Sequence, residues 1–139
     1  MTPFGEAPAF RLEVEVQPPQ ALDPASDGPV RLVAITGGRV LGGLTGQILS
    51  GGTDWQTVQP DGSIAIEARY LLQLDDGARV EVQGRGIRVP GTGGFWHTLW
   101  LRTASPAHAA LNSTQFLALG RKRERFVEIA AFALPVLEA

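Results

Sequence analysis

The chain has 139 residues, a length typical of one domain, with 44% hydrophobic and 19% charged residues, as in an ordinary soluble globular protein. Its 17 glycines and 10 prolines argue against long helices, because both residue types oppose helix interiors. A net charge of −2 excludes the basic surface that nucleic-acid binding needs, and the lack of cysteine excludes disulfides and thiol catalysis.

The N-terminal residues 1–6 lack the basic and apolar regions of a secretory signal. No apolar run reaches the roughly 18 residues of a membrane-spanning helix. We therefore expect a cytoplasmic protein that binds neither membranes nor nucleic acid. Residues 1–139 are interpreted as a single β-barrel domain, with residues 1–9 as a flexible N-terminal segment.

The first half of the chain predicts short strands separated by turns. The first strand alternates between apolar and polar residues without a fault, and Pro18-Pro19 ends it. A glycine-rich zone over residues 37–52 is expected to hold short strand pieces, kinked or bulged at glycines as the corners of a barrel require. Strands are predicted at residues 10–16, 30–35, 40–41, 44–49 and 54–59.

The second half begins with the longest alternating strand, which the turn tripeptides Pro60-Asp61-Gly62 and Asp75-Asp76-Gly77 bracket. A short helical turn is expected after Ser105-Pro106. Strands are predicted at residues 64–74, 78–89, 95–103, 112–119 and 126–134, with the helical turn at 107–111. A sheet of this size closes into a barrel or folds into a sandwich. We predict an all-β fold, a small antiparallel meander barrel of about eight to nine strands, because closure removes exposed edges.

The longest strand has two different faces. One face consists of Ile64, Ile66, Ala68, Tyr70, Leu72 and Leu74. The other face carries Glu67 and Arg69. Either the Ile/Tyr/Leu face fills the barrel interior, or it contacts another subunit while Glu67 and Arg69 line a polar lumen. The sequence leaves both arrangements open.

Familiar catalytic motifs are absent: there is no phosphate-binding loop, no dinucleotide fingerprint and no serine nucleophile elbow. His97 and His108 lie eleven positions apart without a shared helical face, so neither a metal site nor a cofactor is predicted. His97 alternates with apolar residues, which is typical of a packed core histidine or, alternatively, of a general base in a cavity. The basic run at 121–125 is interpreted as a solvated hairpin tip.

Acidic and arginine side chains on neighbouring strands form the main candidate site. Glu67 and Arg69 share a face, and Arg85 and Arg102 on later strands add positive charge to it, unless these groups make only structural ion pairs. A cavity with several arginines binds carboxylate, phenolate or enolate oxygens and stabilises a developing negative charge. Such a site requires at least two of the four side chains to point into one concave pocket.

Aromatic residues extend the list of candidates. Asp54 beside Trp55 is either a turn cap next to a core tryptophan or a carboxylate against an aromatic wall, where burial raises a carboxyl pKa. Trp96 and Trp100 share a face with Arg102. Together they fill a core or stack on a planar ligand.

Short motifs recur in a characteristic order along the chain. They are Gly37-Gly38-Arg39, residues 44–55, Pro60-Asp61-Gly62, residues 67–70, Asp75-Asp76-Gly77, Arg85-Gly86, Leu111-Asn112 and Gly120-Arg121. In this order and spacing, residues 30–134 resemble the domain-of-unknown-function 3237 family, also called UPF0311. The resemblance implies a small antiparallel β-barrel that often assembles as a homo-oligomer. It also implies isomerase, lyase or cyclase activity on small organic molecules in some members.

The resemblance also implies site residues, whose pattern falls on Asp54, Trp55, Glu67, Arg69, Arg85, Arg102 and Asn112. The chain departs from that pattern between Arg102 and Asn112 and has a short loop after Val89, two changes that reshape a barrel mouth.

We therefore expect a barrel that binds a small molecule. It is interpreted as a cofactor-independent isomerase, lyase or cyclase that acts by proton transfer on an aromatic or enolisable anionic substrate. The candidate catalytic residues are Asp54, Glu67 and Arg85, and the candidate substrate-binding residues are Trp55, Arg69, His97, Arg102 and Asn112. The alternatives are a non-catalytic ligand carrier or sensor and a structural subunit of a homo-oligomer.

Overall fold

The computed structural model describes residues 7–23, 25 and 28–139, and within them ten strands form one antiparallel sheet. Strand β1 pairs with both β3 and β10, so eight strands close into a barrel, to which the short strands β2 and β4 are added. The strands are β1 (Phe10–Val16), β2 (Gln20–Ala21), β3 (Val30–Gly42), β4 (Gly46–Ile48), β5 (Gly52–Val58), β6 (Ile64–Leu74), β7 (Arg79–Arg88), β8 (Phe95–Arg102), β9 (Phe116–Lys122) and β10 (Phe126–Ala133). The predicted meander barrel is confirmed. Most of the N-terminal segment that we expect to be flexible lies outside the described residues.

The prediction of separate short strands at 30–35 and 40–41 is wrong, because β3 runs unbroken for 13 residues into the glycine-rich zone. Its first part pairs with β5 and its later part with β1. Gly38 has a φ of 138°, and a Cβ there would overlap the carbonyl oxygen of Glu13. Glycine therefore permits a close approach of β3 and β1, by which one long strand closes the barrel.

The predicted helical turn is a longer 3₁₀ helix, Pro106–Ser113, with a kink at His108, and it includes two residues of the predicted strand at 112–119. The Asn112 side chain accepts a hydrogen bond from the Thr103 N–H at 2.8 Å and donates one to the Thr103 carbonyl at 3.0 Å. His108 Nε2 lies 2.6 Å from Asp76 Oδ2 in the turn between β6 and β7. These contacts attach the helix to β8 and to that turn.

The alternation of β6 resolves the open choice between its two faces. Ile64, Tyr70, Leu72 and Leu74 are buried in the interior, whereas Glu67 is exposed on the outer face. A cluster of buried apolar side chains packs in one half of the lumen, which we call the packed half. Its buried residues include Phe10, Leu12, Leu72, Leu74, Val80, Val82, Leu101 and Phe116. In the described part of the chain, no helix has the length and apolar character needed to cross a membrane.

Candidate functional site

The other half of the lumen encloses a cavity of about 110 Å³. Its volume is of the same order as the ~150 Å³ apolar cavity that accommodates benzene in an engineered protein. Apolar walls come from Val14, Val16, Val33, Ile35, Ile66, Ala68, Phe95, Val127 and Ile129. The cavity reaches the protein surface at Gln17, Pro19, Arg88 and Lys122, which we call the mouth.

Asp54 enters the cavity from β5, where alternation turns residues 54 and 56 inward. Gln56 donates a hydrogen bond to Asp54 Oδ2 at 2.9 Å, and Arg31 Nε donates one to Gln56 Oε1 at 2.9 Å. Asp54 Oδ1 is buried without a partner among the described residues. Burial raises the pKa of Asp54 above its usual 3.8, although Gln56, Arg88 and Arg31 act in the opposite direction.

Tyr70 points into the same cavity from β6 and is 4% exposed. Its hydroxyl has no hydrogen-bond partner in the described structure. Burial, and secondly the charge of Asp54, raise the pKa of Tyr70, so its hydroxyl keeps the proton and remains a donor.

His97 on β8 is the third polar group and is 6% exposed. Its ring stacks on Phe95 with centroids 5.1 Å apart, while Phe95 lies over Gly120. Across the sheet, a Cβ on Gly86 would lie 2.5 Å from His97 Cβ, so glycine makes room for the imidazole. Burial lowers the pKa of His97 to about 4, against the opposite effect of the Phe95 backbone. His97 is therefore neutral at pH 7, and its Nδ1 has no partner in the described structure.

Three buried polar atoms therefore line one cavity without partners among the described residues: Asp54 Oδ1, Tyr70 Oη and His97 Nδ1. A buried polar atom without a hydrogen bond costs about 1–3 kcal/mol, so a bound molecule that supplies the missing bonds is favoured. The set combines a carboxyl group, a phenol that keeps its proton and a neutral imidazole. Such a set can accept a proton from a ligand and donate hydrogen bonds to its oxygen atoms. Within the described residues, no three histidine, aspartate or glutamate side chains are grouped so that they could hold a metal ion.

The structure brings only two of the sequence-predicted site residues, Asp54 and His97, into the cavity. None of Glu67, Arg69, Arg85 and Arg102 points into the lumen, and the two that share a concave, partly apolar pocket, Glu67 and Arg85, do so on the outside of the barrel. All four are exposed on the outer face, because they have the opposite parity to the inward residues of their strands.

The outward residues make different contacts. Arg69 and Arg102 both donate to Glu81 Oε1, at 3.3 and 2.8 Å. Glu67 and Arg85 are directly opposite in register, yet among the described residues neither makes an ion pair.

Two further predicted binding residues also lie outside the cavity. Trp55 is 47% exposed on the outer face of β5, next to the inward Asp54. Asn112 belongs to the 3₁₀ helix, where its amide bonds the Thr103 backbone. Neither Trp55 nor Asn112 lines the lumen, so the expectation that they bind a ligand there is wrong.

Sequence reasoning missed Gln56, Tyr70, Arg31, Arg88 and Lys122 as parts of one site. The signal for some of them was present: Gln56 has the parity of Asp54, and Arg88 has the parity of the apolar residues Val80 and Val82. Whether residues of that parity point into the barrel depends on how the sheet closes, and the alternation of a single strand does not determine this.

The match to a family model decides the relationship of this chain to known proteins: the model "Protein of unknown function (DUF3237)" matches residues 6–134. The chain belongs to the DUF3237 family. The resemblance seen in the sequence is thereby confirmed. Among relatives, the UPF0311 protein blr7842 of Bradyrhizobium diazoefficiens is 44% identical over 61 residues, which cover 44% of this chain and 40% of the relative. This sequence match therefore spans less than half the length of the relative.

Solved structures share the DUF3237 barrel over nearly its whole length. The β-barrel-like protein ABAYE2633 of Acinetobacter baumannii has a TM-score of 0.83 and 32% identity, over 93% of this chain and 94% of that one. An enzyme from Penicillium herquei has a TM-score of 0.68 and 24% identity, over 94% of this chain and 99% of that one. The second likeness concerns the fold alone.

Proposed function

We propose that the lumen binds a small aromatic or enolisable organic molecule and that Asp54 moves a proton on it without a cofactor. The observation that carries the proposal is the convergence of three unpartnered polar atoms, Asp54 Oδ1, Tyr70 Oη and His97 Nδ1, on one cavity with apolar walls. A ligand pocket combines apolar walls with a few convergent polar groups in this way. The Penicillium herquei enzyme provides a precedent only for an enzyme on this fold.

The proposed step is a proton transfer next to a carbonyl group. Asp54 Oδ1, as carboxylate, removes a proton from the carbon beside the carbonyl. The electron pair of the broken C–H bond forms a C=C bond to the carbonyl carbon, and the π pair of the C=O bond moves onto the oxygen as an enolate. Tyr70 donates a hydrogen bond to that oxygen, and neutral His97 donates another when Nδ1 carries its proton. Return of the proton from Asp54 to a different atom of the ligand completes an isomerisation, with no atom or electron left over.

The geometry around Asp54 suits a base of this kind. Gln56 occupies Oδ2 and is itself held by Arg31, so Oδ1 is the oxygen left for the ligand. A raised pKa makes Asp54 a stronger base than an ordinary aspartate, because basicity follows the pKa of the conjugate acid.

The test uses phenylpyruvate, an enolisable aromatic anion, in D₂O, with deuterium uptake at its benzylic carbon followed by NMR. We expect the protein to accelerate exchange, and Asp54→Asn to lower the acceleration by about 100-fold or more, as loss of a general base does. Glu15→Gln, a matched change of charge on the outer face of β1, should leave the rate unchanged.

The outcomes separate the candidate functions. Binding of phenylpyruvate at the lumen residues without accelerated exchange would replace the enzyme by the carrier alternative. Acceleration that survives Asp54→Asn would remove Asp54 from the proposed step.

We also infer a second role, as a subunit of a homo-oligomer, from the outer face of the sheet. Trp55, Ile87, Trp96 and Trp100 are each 47–64% exposed on neighbouring strands. Glu67 and Arg85 lie among them as an opposite-charge couple in which neither side chain makes an ion pair with a described residue. A two-fold arrangement would place Glu67 of one copy against Arg85 of another, since such interfaces are self-complementary.

Charge exchange tests this interface by light scattering of the purified protein. Glu67→Arg should shift a dimer to monomer, and the combined Glu67→Arg and Arg85→Glu change should restore it. A wild-type protein that stays monomeric at every concentration would contradict the interface and leave the lumen proposal untouched.

A further inference from the structure

Positive charge is in excess at the open end of the barrel. Arg88 and Lys122 line the cavity at its mouth, and Arg31 stands close enough to influence the Asp54 carboxyl group. Among the described residues that line the cavity, Asp54 is the only acidic one. Arg88 and Arg31 both act on this carboxyl group, and Lys122 adds a third cation to the lining.

The partners of these cations differ. Arg31 is occupied, since it donates to Gln56, which in turn holds Asp54. Arg88 and Lys122 donate no side-chain hydrogen bond and form no ion pair with any described residue. Arg88 is also half-buried, and a charge that is partly removed from water is stabilised by an anionic partner. Asp54 supplies one negative charge, on which both Arg88 and Arg31 act, so positive charge remains in excess at this end of the barrel.

The position of these two residues follows from the barrel topology. Arg88 is the last residue of β7 and Lys122 the last of β9, and β8 lies between these two strands. The two strands therefore end at the same rim of the barrel, one on each side of the β8 residues Phe95 and His97. Lys122 also belongs to the basic hairpin tip at 121–125, which adds to the positive potential near the mouth and attracts anions to it.

We propose that Arg88 and Lys122 bind a carboxylate of the ligand at the mouth while its apolar body, about the size of one ring, occupies the lumen. The inference rests on the proposed binding function and adds the substrate class: small monocyclic or short-chain carboxylic acids. Arg88 offers a planar pair of donors that matches a carboxylate, and Lys122 adds a point charge. The anionic end faces outward, so it stays away from Asp54 at the inner end.

The test compares benzoate with benzamide, its neutral counterpart of nearly equal shape, by NMR titration of the lumen residues Val33, Ala68 and Leu99. We expect benzoate to bind about tenfold or more tightly than benzamide, since hydrogen bonds to charged groups are the stronger ones. In the Arg88→Gln and Lys122→Gln double variant, the preference should fall to about threefold or less. Arg79→Gln, on the outer face of the same strand, is the matched control and should keep the full preference.

Each outcome has one meaning. Equal binding of benzoate and benzamide to the wild type overturns the carboxylate site and leaves the lumen proposal standing. A preference that persists in the double variant overturns the role of these two residues. If neither compound shifts the lumen signals, the proposed binding function fails and this inference with it. Lys122→Gln alone, at an exposed position, repeats the test with little risk to folding.

Discussion

The packed half of the lumen and the half around the cavity are built by the same strands, and the change between them takes only a few residues. Along β7 the inward side chains pass from Val80 and Val82 to Gly84, Gly86 and Arg88. The hydrogen-bond ladder is continuous through both halves. Backbone pairing therefore sets the shape of the barrel, and the inward side chains decide whether its interior supplies stability or a site.

This division lets one half compensate for the other. Large apolar side chains without exposure supply the hydrophobic free energy, whereas unpartnered polar atoms around the cavity cost free energy. Functional sites commonly carry such a cost, which the rest of the fold offsets. Substitutions in the packed half should therefore mainly change stability, whereas substitutions around the cavity should mainly change binding.

The largest expected effect is in the packed half. Leu72 has no exposed surface, and Leu72→Ala should lower the free energy of unfolding by about 2–5 kcal/mol through lost burial and a new cavity. Leu71→Ala changes the neighbouring residue, which is 41% exposed, and should cost less than about 0.5 kcal/mol. Urea denaturation followed by circular dichroism measures both. Equal losses for the two variants would contradict the assigned parity of β6.

The next effect concerns protonation in the cavity half. NMR titration of His97 should give a midpoint of about 4 in the folded protein, against an ordinary value of 6.5 in the urea-unfolded chain. Between these pH values the unfolded chain binds the extra proton, so stability falls as the pH drops from 6.5 towards 4. The full shift corresponds to about 3 kcal/mol.

Comparison with His97→Gln isolates this contribution, because Asp54 acts in the opposite sense. Its raised pKa adds stability as the pH falls towards 3.8, in both proteins alike. Parallel stability–pH curves for the wild type and the variant would show that His97 is not buried as a neutral group.

The prediction of the fold from sequence succeeded because its evidence is local. Period-two alternation and turn tripeptides identified β6 and its neighbours, and the meander followed from short connections. The long β3 was missed because glycines usually end or kink a strand. Here Gly38 instead allows close contact with β1, an effect that depends on a distant segment.

The site was predicted less well because it depends on the direction of each strand face. Asp54 and His97 were found as candidates, but Arg85 and Arg102 were chosen for their charge without knowledge of which side faces the lumen. Arg88, three positions after Arg85, is the arginine that lines the cavity. A displacement of one or three residues along a strand reverses the face, so residue type alone could not separate the two.

A smaller effect is expected where glycine makes room for the imidazole. In Gly86→Ala, the new Cβ would lie 2.5 Å from both His97 Cβ and the Trp96 carbonyl oxygen, so strand β8 must shift. We expect a loss of about 1–3 kcal/mol, as for other overpacked sites, together with displaced His97 signals in NMR spectra. Gly93→Ala adds the same methyl group where no atom lies within 4 Å and should change neither. Unaltered His97 signals in Gly86→Ala would argue against this close packing.

The smallest effect is expected on the outer face. Arg102 donates to Glu81 at 2.8 Å, but its side chain is 69% exposed, and exposed ion pairs contribute about 0–1 kcal/mol. Arg102→Gln should therefore change the free energy of unfolding by less than about 1 kcal/mol and should leave benzoate binding unchanged. The difference between the variant and the wild type should be smaller at high salt than at low salt, because screening weakens exposed ion pairs. If Arg102→Gln abolished ligand binding while Arg88→Gln did not, the functional surface would lie on the outside of the barrel, and the division between its two inner halves would concern stability alone.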